Sequence, residues 1–355
     1  VYPSLNEIAI KAKDLLKPNL DELWISSPSS RGSVIDRTTT IQLLPKIIDV
    51  ITGTYRNDIS VTSNGNIRFT RYSTKHGEAL KKAQKVFLMD ATPDLIDLSK
   101  KLGVHSSEIL QIECERPSFE NLTIKVVKGL GKLGHQREHY HNGKQVYSPY
   151  SQLERSIKAV NAICEKVNGC KVGILDLKKY VDLYREMKPN LVLGHHFADN
   201  RNSNRFKECQ QLISIGTPTE NIGSALSEYH ILWNESRDTD AFWCWLNQKA
   251  TNELIQGIGR LRAHHRKNEG LVFWLLTEVS ENQKNAIKEY YPGCVIQEID
   301  VYDVCPAAAS KGVQTERAIV EYLWRGVRTN TKTTINDVAA AARVNKSRVS
   351  QIVKE

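Results

Sequence analysis

The residues best suited to chemistry lie in the last third of the chain, in Gln256-Gly257-Ile258-Gly259-Arg260-Leu261-Arg262-Ala263-His264-His265-Arg266. Arg260 and Arg262 stand one residue apart, with Gln256 four residues before the first. Arginine carries a permanent planar charge with five donors, which suits a phosphoryl group in transfer. A flanking glycine, here Gly259, lets the backbone approach a ligand. A basic surface helix would show the same residues, so the remainder of the chain has to decide between the two.

Three other stretches carry candidate chemistry. Val86-Phe87-Leu88-Met89-Asp90-Ala91-Thr92-Pro93-Asp94 reads as a buried strand with polar residues at its carboxyl end, where open parallel sheets bind ligands. An apolar strand ending in Asp90 also resembles a magnesium-holding Walker B, but no acidic residue follows Asp90. A plain strand followed by an Asp/Thr cap for a helix at 94–102 explains the same residues equally well. Gly129-Leu-Gly-Lys-Leu-Gly134 lacks the G-x-x-x-x-G-K-[ST] spacing and is rejected as a phosphate loop. His135, His139 and His141 invite a metal, yet they are interleaved with Arg137 and Glu138 before an Asn142-Gly143 turn. An exposed basic hairpin fits them better than a metal site.

Composition narrows the classes. Forty percent hydrophobic and 25% charged residues describe a globular chain rather than wholesale disorder. The 355 residues allow two domains and a small appendage. No apolar run reaches the roughly 18 residues of a membrane span, so no membrane partner is expected. The net charge of +9 favours a polyanionic partner. Seven scattered cysteines without C-x-x-C fit free thiols in a reducing cytoplasm. The N-terminus has neither a signal-peptide pattern nor an initiator Met, so numbering is expected to begin inside a larger protein.

The elements that must position these residues follow from periodicity. Helices are expected at 5–16 and 41–51, around a polar loop at 26–40, and a hairpin at 58–62 and 67–72 turns through Ser-Asn-Gly-Asn. From 122 on, strands at 122–128, 171–176, 191–194, 211–216 and 270–277 alternate with helices at 153–167, 177–187, 239–263 and 281–291. This is a βαβ pattern and implies an α/β fold with a parallel sheet flanked by helices and right-handed crossovers. Residues 305–312 read as a linker. Helices at 314–327, 333–343 and 346–353 follow as a small all-α helix-turn-helix domain. Its last helix bears Lys346, Ser347, Arg348, Ser350 and Gln351, which suit phosphates and base edges. A helical module that binds protein is the alternative, and the basic and amide side chains favour DNA.

Together these stretches resemble the C-terminal half of a superfamily 2 helicase. Residues 86–93 resemble the motif III strand, with Asp-Ala-Thr where many members have Ser-Ala-Thr. Residues 171–176 are similar to the first strand of the second RecA-like domain. His195-His-Phe-Ala-Asp-Asn-Arg-Asn-Ser-Asn-Arg-Phe206 resembles the region around motif V. Gln256-x-x-Gly259-Arg260 matches motif VI. With the trailing helix-turn-helix, the combination is similar to cyanobacterial plasmid replication proteins and phage-type helicases.

The resemblance implies roles. Arg260 would be an arginine finger reaching the γ-phosphate of ATP between two RecA-like domains. Gln256 would position the nucleotide or attacking water, with Gly259 beside it. Asp90 and Thr92 would couple nucleotide state to DNA grip. Asn204 and Arg205 would touch the nucleic-acid backbone or the cleft. ATP and Mg2+ would both need upstream residues. Two departures stand out. Many members place a second arginine three residues after the first, which here is Ala263; Arg262 and Arg266 both remain candidates. No Walker A or acidic Walker B pair occurs, so the chain is either a fragment or unable to hydrolyse ATP alone. The implied division is the end of a first RecA-like domain (1–104), a second RecA-like domain (105–304), the linker (305–312) and the helix-turn-helix (313–355). The implied function is the motor half of an ATP-dependent DNA helicase in plasmid or phage replication, partnered by an upstream P-loop domain. The alternative is a non-enzymatic DNA-binding or scaffold protein with a degenerate helicase-like domain.

Overall fold

Six short segments pair as one parallel sheet, and the chain's chemistry is distributed around its two ends. The structure is a computed structural model that describes residues 57–61, 67–72, 75–88, 92–131, 133–134, 136–167, 171–187, 192–197, 204–233 and 239–354. The helices expected at 5–16 and 41–51, the loop at 26–40, the hairpin turn, Asp90 and His135 lie outside the described residues. Two compact units divide the chain. One combines Val1–Ile112 with Thr219–Gln248, and the other combines Glu113–Pro218 with Lys249–Glu355.

In the first unit, β1 (Asn57–Val61) and β2 (Ile67–Arg71) form the expected antiparallel hairpin, followed by α1 (Lys75–Lys82) and α2 (Leu95–Leu102). Asp94 caps α2 by accepting from the backbone N–H groups of Ile96 and Asp97, and Gly103 ends it in the left-handed region. The same unit contains α5 (Ile222–Trp233) and the first part of α6 (Asp240–Gly259). Their apolar residues Ala225, Tyr229, Phe242, Trp245 and Leu246 form an aromatic cluster. The Trp245 indole N–H donates to Asp97 at 3.0 Å and ties the cluster to α2. Residues 86–88, expected as a buried strand, are not a strand and are exposed at 43%, 85% and 54%. An apolar strand needs neighbours for its backbone groups, and none of the described strands lies beside this one.

The second unit holds the parallel sheet. Its strands are β3 (Leu122–Lys128), β6 (Val172–Asp176), β7 (Val192–His196), β8 (Gln211–Ile215), β9 (Leu271–Leu276) and β10 (Val295–Asp300). They run in the order β10-β3-β9-β8-β6-β7. Val-Gly-Ile-Leu-Asp in β6 is buried throughout, as a central parallel strand must be. β10 is an edge strand with alternating exposure, and Gln297 and Glu298 interrupt its apolar run.

Helices cover both faces. On one, α3 (Gln152–Glu165), α4 (Lys178–Met187) and α8 (Val301–Val304) enclose Ile174, Ile213, Ile215 and Leu276. On the other, the end of α6 and α7 (Glu281–Tyr290) enclose Leu122, Ile124, Phe273 and Leu275. The result is α/β, a parallel sheet flanked by helices and compatible with a RecA-like fold. The stretch expected as a linker packs instead, with Ala308 and Ala309 fully buried and the Ala308 carbonyl accepting from Arg155 Nε at 2.7 Å. Three helices close the chain, α9 (Lys311–Arg328), α10 (Ile335–Ala341) and α11 (Lys346–Lys354), around Ile319, Val338, Ala339 and Val349. Among the described residues no helix is long and apolar enough to cross a membrane.

Candidate functional site: an arginine turn at the amino end of the sheet

The second half of α6 faces the sheet with Leu254, Ile255 and Ile258. That leaves Gln256 and the residues from Arg260 to Arg266 at its margin, half-buried except for the anchoring Leu261 and Ala263, which are buried, and His265, which is exposed. After Gly259 the helix tightens. Arg260, Leu261 and Arg262 donate their N–H groups three residues back, to Gly257, Ile258 and Gly259, a 3₁₀ ending that satisfies carbonyls the α-helix leaves open. Arg262 then adopts a left-handed φ of 55° and reverses the chain. Leu261, fully buried between the two arginines, locks their directions.

One side chain fastens the turn to the sheet. Asn121, just before β3, donates its amide to the carbonyls of Ala263, Arg266 and Glu269 at 3.1, 2.8 and 3.3 Å. The turn therefore lies at the amino ends of β3 and β9. Arg266 is engaged in the same fastening. It donates to the Cys209 carbonyl at 2.6 Å and pairs with both carboxylate oxygens of Glu269, whose carboxyl this hydrogen bonding holds below its ordinary value. Arg262 instead reaches outward, and its Nη2 donates to Asn204 Oδ1 at 2.7 Å. Arg262 thus meets Asn204, while Arg266 is taken up by Cys209 and Glu269.

Asn204 and Arg205 are exposed and held by the turn that follows them, where Phe206 is buried and stacks edge-on with His195 at 6.2 Å. The structure thus brings Asn204 and Arg262 together, although they are far apart in sequence. A Cβ on Gly259 would meet the Tyr291 hydroxyl at 3.1 Å, which donates to the Ile255 carbonyl at 2.6 Å. Gly259 makes room for Tyr291. Burial, with the neighbouring charges of His265 and Arg262, lowers the His264 pKa.

The remaining candidates fall elsewhere. Thr92 is half-buried and belongs to the first unit. On α11, Lys346, Ser347 and Gln351 are exposed and Arg348 is half-buried. Asn345 opens that helix by accepting from Ser347 Oγ and the Arg348 N–H, and Arg348 donates to Gln351 at 2.8 Å. Val349 points into the three-helix core, so the polar residues take the outer face.

A buried group that sequence reading missed lies at the opposite end of the sheet. β6 leads outward to β7, and the chain then returns to β8 on the other side of β6, so the connections reverse between β6 and β8. Such a reversal usually opens a crevice at the carboxyl ends. Here Arg137 fills it. Its guanidinium pairs with both oxygens of Asp176, the last residue of β6, at 2.6 and 2.7 Å. It also donates to the Ile215 carbonyl at the end of β8 at 3.1 Å. Both charged side chains are fully buried. Burial pushes the Asp176 carboxyl up, and Arg137 pulls it back. Gly216 sits beneath at a φ of 82°, and a Cβ there would strike the Leu133 carbonyl. Leu130 and Leu133 are buried, so the glycine-rich loop is packed rather than open as a phosphate cradle. Among the described residues no group of His, Cys, Asp or Glu could hold a metal ion.

Fold and site together define an α/β protein with a closed switch point and a half-buried arginine turn at the other end of its sheet. No protein-family model matches the chain, and no curated protein matches it in sequence.

Proposed function

We propose that this chain is the motor half of an ATP-dependent DNA helicase serving plasmid or phage replication. One observation carries the reading. Arg260 and Arg262 stand half-buried on a 3₁₀ turn, Arg262 is held by Asn204, and Arg266 is engaged in holding the turn's shape. Phosphoryl transfer needs positioned positive charge more than covalent help. In this reading Arg260 acts on the γ-phosphate, Arg262 is the second cation, and Gln256 positions the nucleotide or the attacking water. The closed crevice between β6 and β8 supports placing the nucleotide outside this sheet, on a P-loop domain elsewhere in a longer chain or in a partner. ATP and Mg2+ would be held there. The described residues do not fit a metal site, and no step is assigned to one. Asp90 and Thr92 would couple nucleotide state to DNA grip. The three C-terminal helices act as a helix-turn-helix, with Lys346, Ser347, Arg348 and Gln351 facing DNA.

The purified 355-residue chain should bind DNA with a steep salt dependence and hydrolyse no ATP alone. In a protein that includes the nucleotide-holding domain, Arg260→Ala should lower kcat by about 10³–10⁵-fold with ATP binding retained. Wild-type turnover in that variant rules out the finger. The second reading, a DNA-binding scaffold with a degenerate helicase-like domain, is favoured by the sealing of the switch point through Arg137 and Asp176. It predicts no turnover with any nucleotide-holding partner.

A further inference from the structure

The hairpin of β4 (His139–His141) and β5 (Lys144–Val146) has no part in the arginine turn or the sealed crevice. It turns through Asn142-Gly143, both at positive φ (49° and 75°). Every residue from 139 to 147 is exposed. Two strands alone bury too little to be kept for stability, yet Tyr140, Tyr147 and Tyr150 present 42%, 74% and 41% of their surface.

The register sorts these side chains. Tyr140 lies opposite Gln145, His139 opposite Val146, and His141 opposite Lys144. Strand alternation puts Tyr140, Gln145 and Tyr147 on one side and His139, His141, Lys144 and Val146 on the other. Tyr140 and Tyr147 are then diagonal neighbours, roughly 7–8 Å apart by strand geometry. Residues 139–150 contain no Asp or Glu. The nearest carboxylate, Glu138, is engaged by Lys179, by the Tyr180 hydroxyl and by the Arg137 N–H. At the hairpin's root, Lys158 Nζ donates to the Pro149 carbonyl at 2.9 Å and adds a cation.

We propose that the β4–β5 hairpin binds single-stranded nucleic acid along its edge, with Tyr140 and Tyr147 stacking on bases from one side while Lys144 and the flanking histidines reach round to the phosphates from the other. Exposed rings on one side of a narrow ribbon, with cations on its other side and no carboxylate within it, are the chemistry of a single-strand platform whose bases stack on one side while the backbone runs along the edge. A duplex keeps its base faces covered and has nothing for two spaced rings to stack on. An acidic peptide would use the cations and leave the tyrosines without a purpose. The inference rests on the DNA-motor reading for the identity of its ligand. It places the single strand at the carboxyl end of β3, away from the arginine turn.

The test is fluorescence anisotropy with the full chain, a fluorescein-labelled oligo(dT) and a duplex of equal length. Tyr140→Ala with Tyr147→Ala should weaken oligo(dT) binding at least about 25-fold and leave duplex affinity within about twofold. Tyr140→Phe with Tyr147→Phe should restore it, because stacking needs the ring and not the hydroxyl. Lys144→Gln should lower the salt slope by about one. Thermal melts identify any variant that has lost its fold, and the exposed hairpin should pass that control. Unchanged oligo(dT) binding in the alanine pair overturns the proposal, as does an equal loss on the duplex or a phenylalanine pair as weak as the alanine pair. A wild-type chain that binds neither probe sinks the DNA-motor reading as well. Binding of both probes that ignores the hairpin sinks this inference alone.

Discussion

Replacing Arg137 by alanine should destabilise the second unit by about 3–5 kcal/mol, the usual consequence of removing one partner from a buried ion pair. The structure places the guanidinium and the Asp176 carboxylate in contact with no solvent around either. Without it, the carboxylate keeps the Leu177 N–H at 2.6 Å and the Tyr184 hydroxyl but no cation. The carbonyls of Ile215 and Gly134 also lose their donor at 3.1 and 3.0 Å. Whole domains are stable by only ~5–15 kcal/mol, so the variant should be close to unfolding in physiological conditions. Arg137→Met combined with Asp176→Leu should recover much of the loss, because desolvation nearly cancels the attraction in a buried pair. Urea denaturation followed by far-UV circular dichroism on Arg137→Ala gives its loss directly, and on the wild type, Arg137→Met, Asp176→Leu and their combination gives the four stabilities of a cycle and from them the coupling. A loss below about 1 kcal/mol for Arg137→Ala, or a double variant as unstable as the two singles added, would refute the assignment. So would an Asp176→Asn protein of wild-type stability that had lost a nucleotide-dependent activity, since Asp176 would then be reacting rather than sealing.

Two further outcomes follow from the same geometry. Burial alone would raise the Glu138 carboxyl, but hydrogen bonds from backbone N–H groups, Lys179 and Tyr180 bring it from an ordinary 4.5 to about 2. The stabilisation is present above 4.5 and is lost as pH falls toward 2; melts across that window should be flatter in Glu138→Gln, and an equally steep fall would count against these bonds. Asn204→Ala should change stability by less than about 0.5 kcal/mol while lowering turnover in a protein that includes the nucleotide-holding domain, whereas Arg266→Ala should cost about 1.5–3 kcal/mol through its lost charged hydrogen bonds. Denaturation of both variants checks this, and a reversed order would undo the distinction between Arg262 and Arg266.

The legible part of this fold is the part whose residues are buried on both faces. β6, β8 and β9 read as apolar runs because parallel interior strands must be apolar. β10 did not, because an edge strand tolerates Gln297 and Glu298. Residues 86–88 show the reverse error. Their apolarity is local, but strand formation depends on a neighbour that local pattern does not report. Residues 222–233 went unread because they belong to the first unit through contacts with Phe242 and Trp245, a matter of long-range packing. The motif around Arg260 was visible, but the choice between Arg262 and Arg266 was not. It depends on Cys209 and Glu269 taking up one guanidinium and Asn204 the other. Arg137 looked like one more charge in a basic hairpin, and only its meeting with Asp176 reveals a buried ion pair.

The two ends of the sheet divide the proposed labour. A parallel sheet that binds its own nucleotide does so at the carboxyl ends, where connections reverse. In this chain that crevice is occupied by Arg137, floored by Gly216 and closed by Leu130 and Leu133. A phosphate could enter only after the ion pair broke, at a penalty no ordinary ligand contact would offset. The half-buried arginines stand at the amino ends of β3 and β9, away from that crevice. Positive charge held rigidly at a surface lowers a barrier only when another surface positions the reacting phosphate against it. In the proposed reading the arginine turn is half of a composite site, and its activity would switch on with the approach of the body that holds the nucleotide.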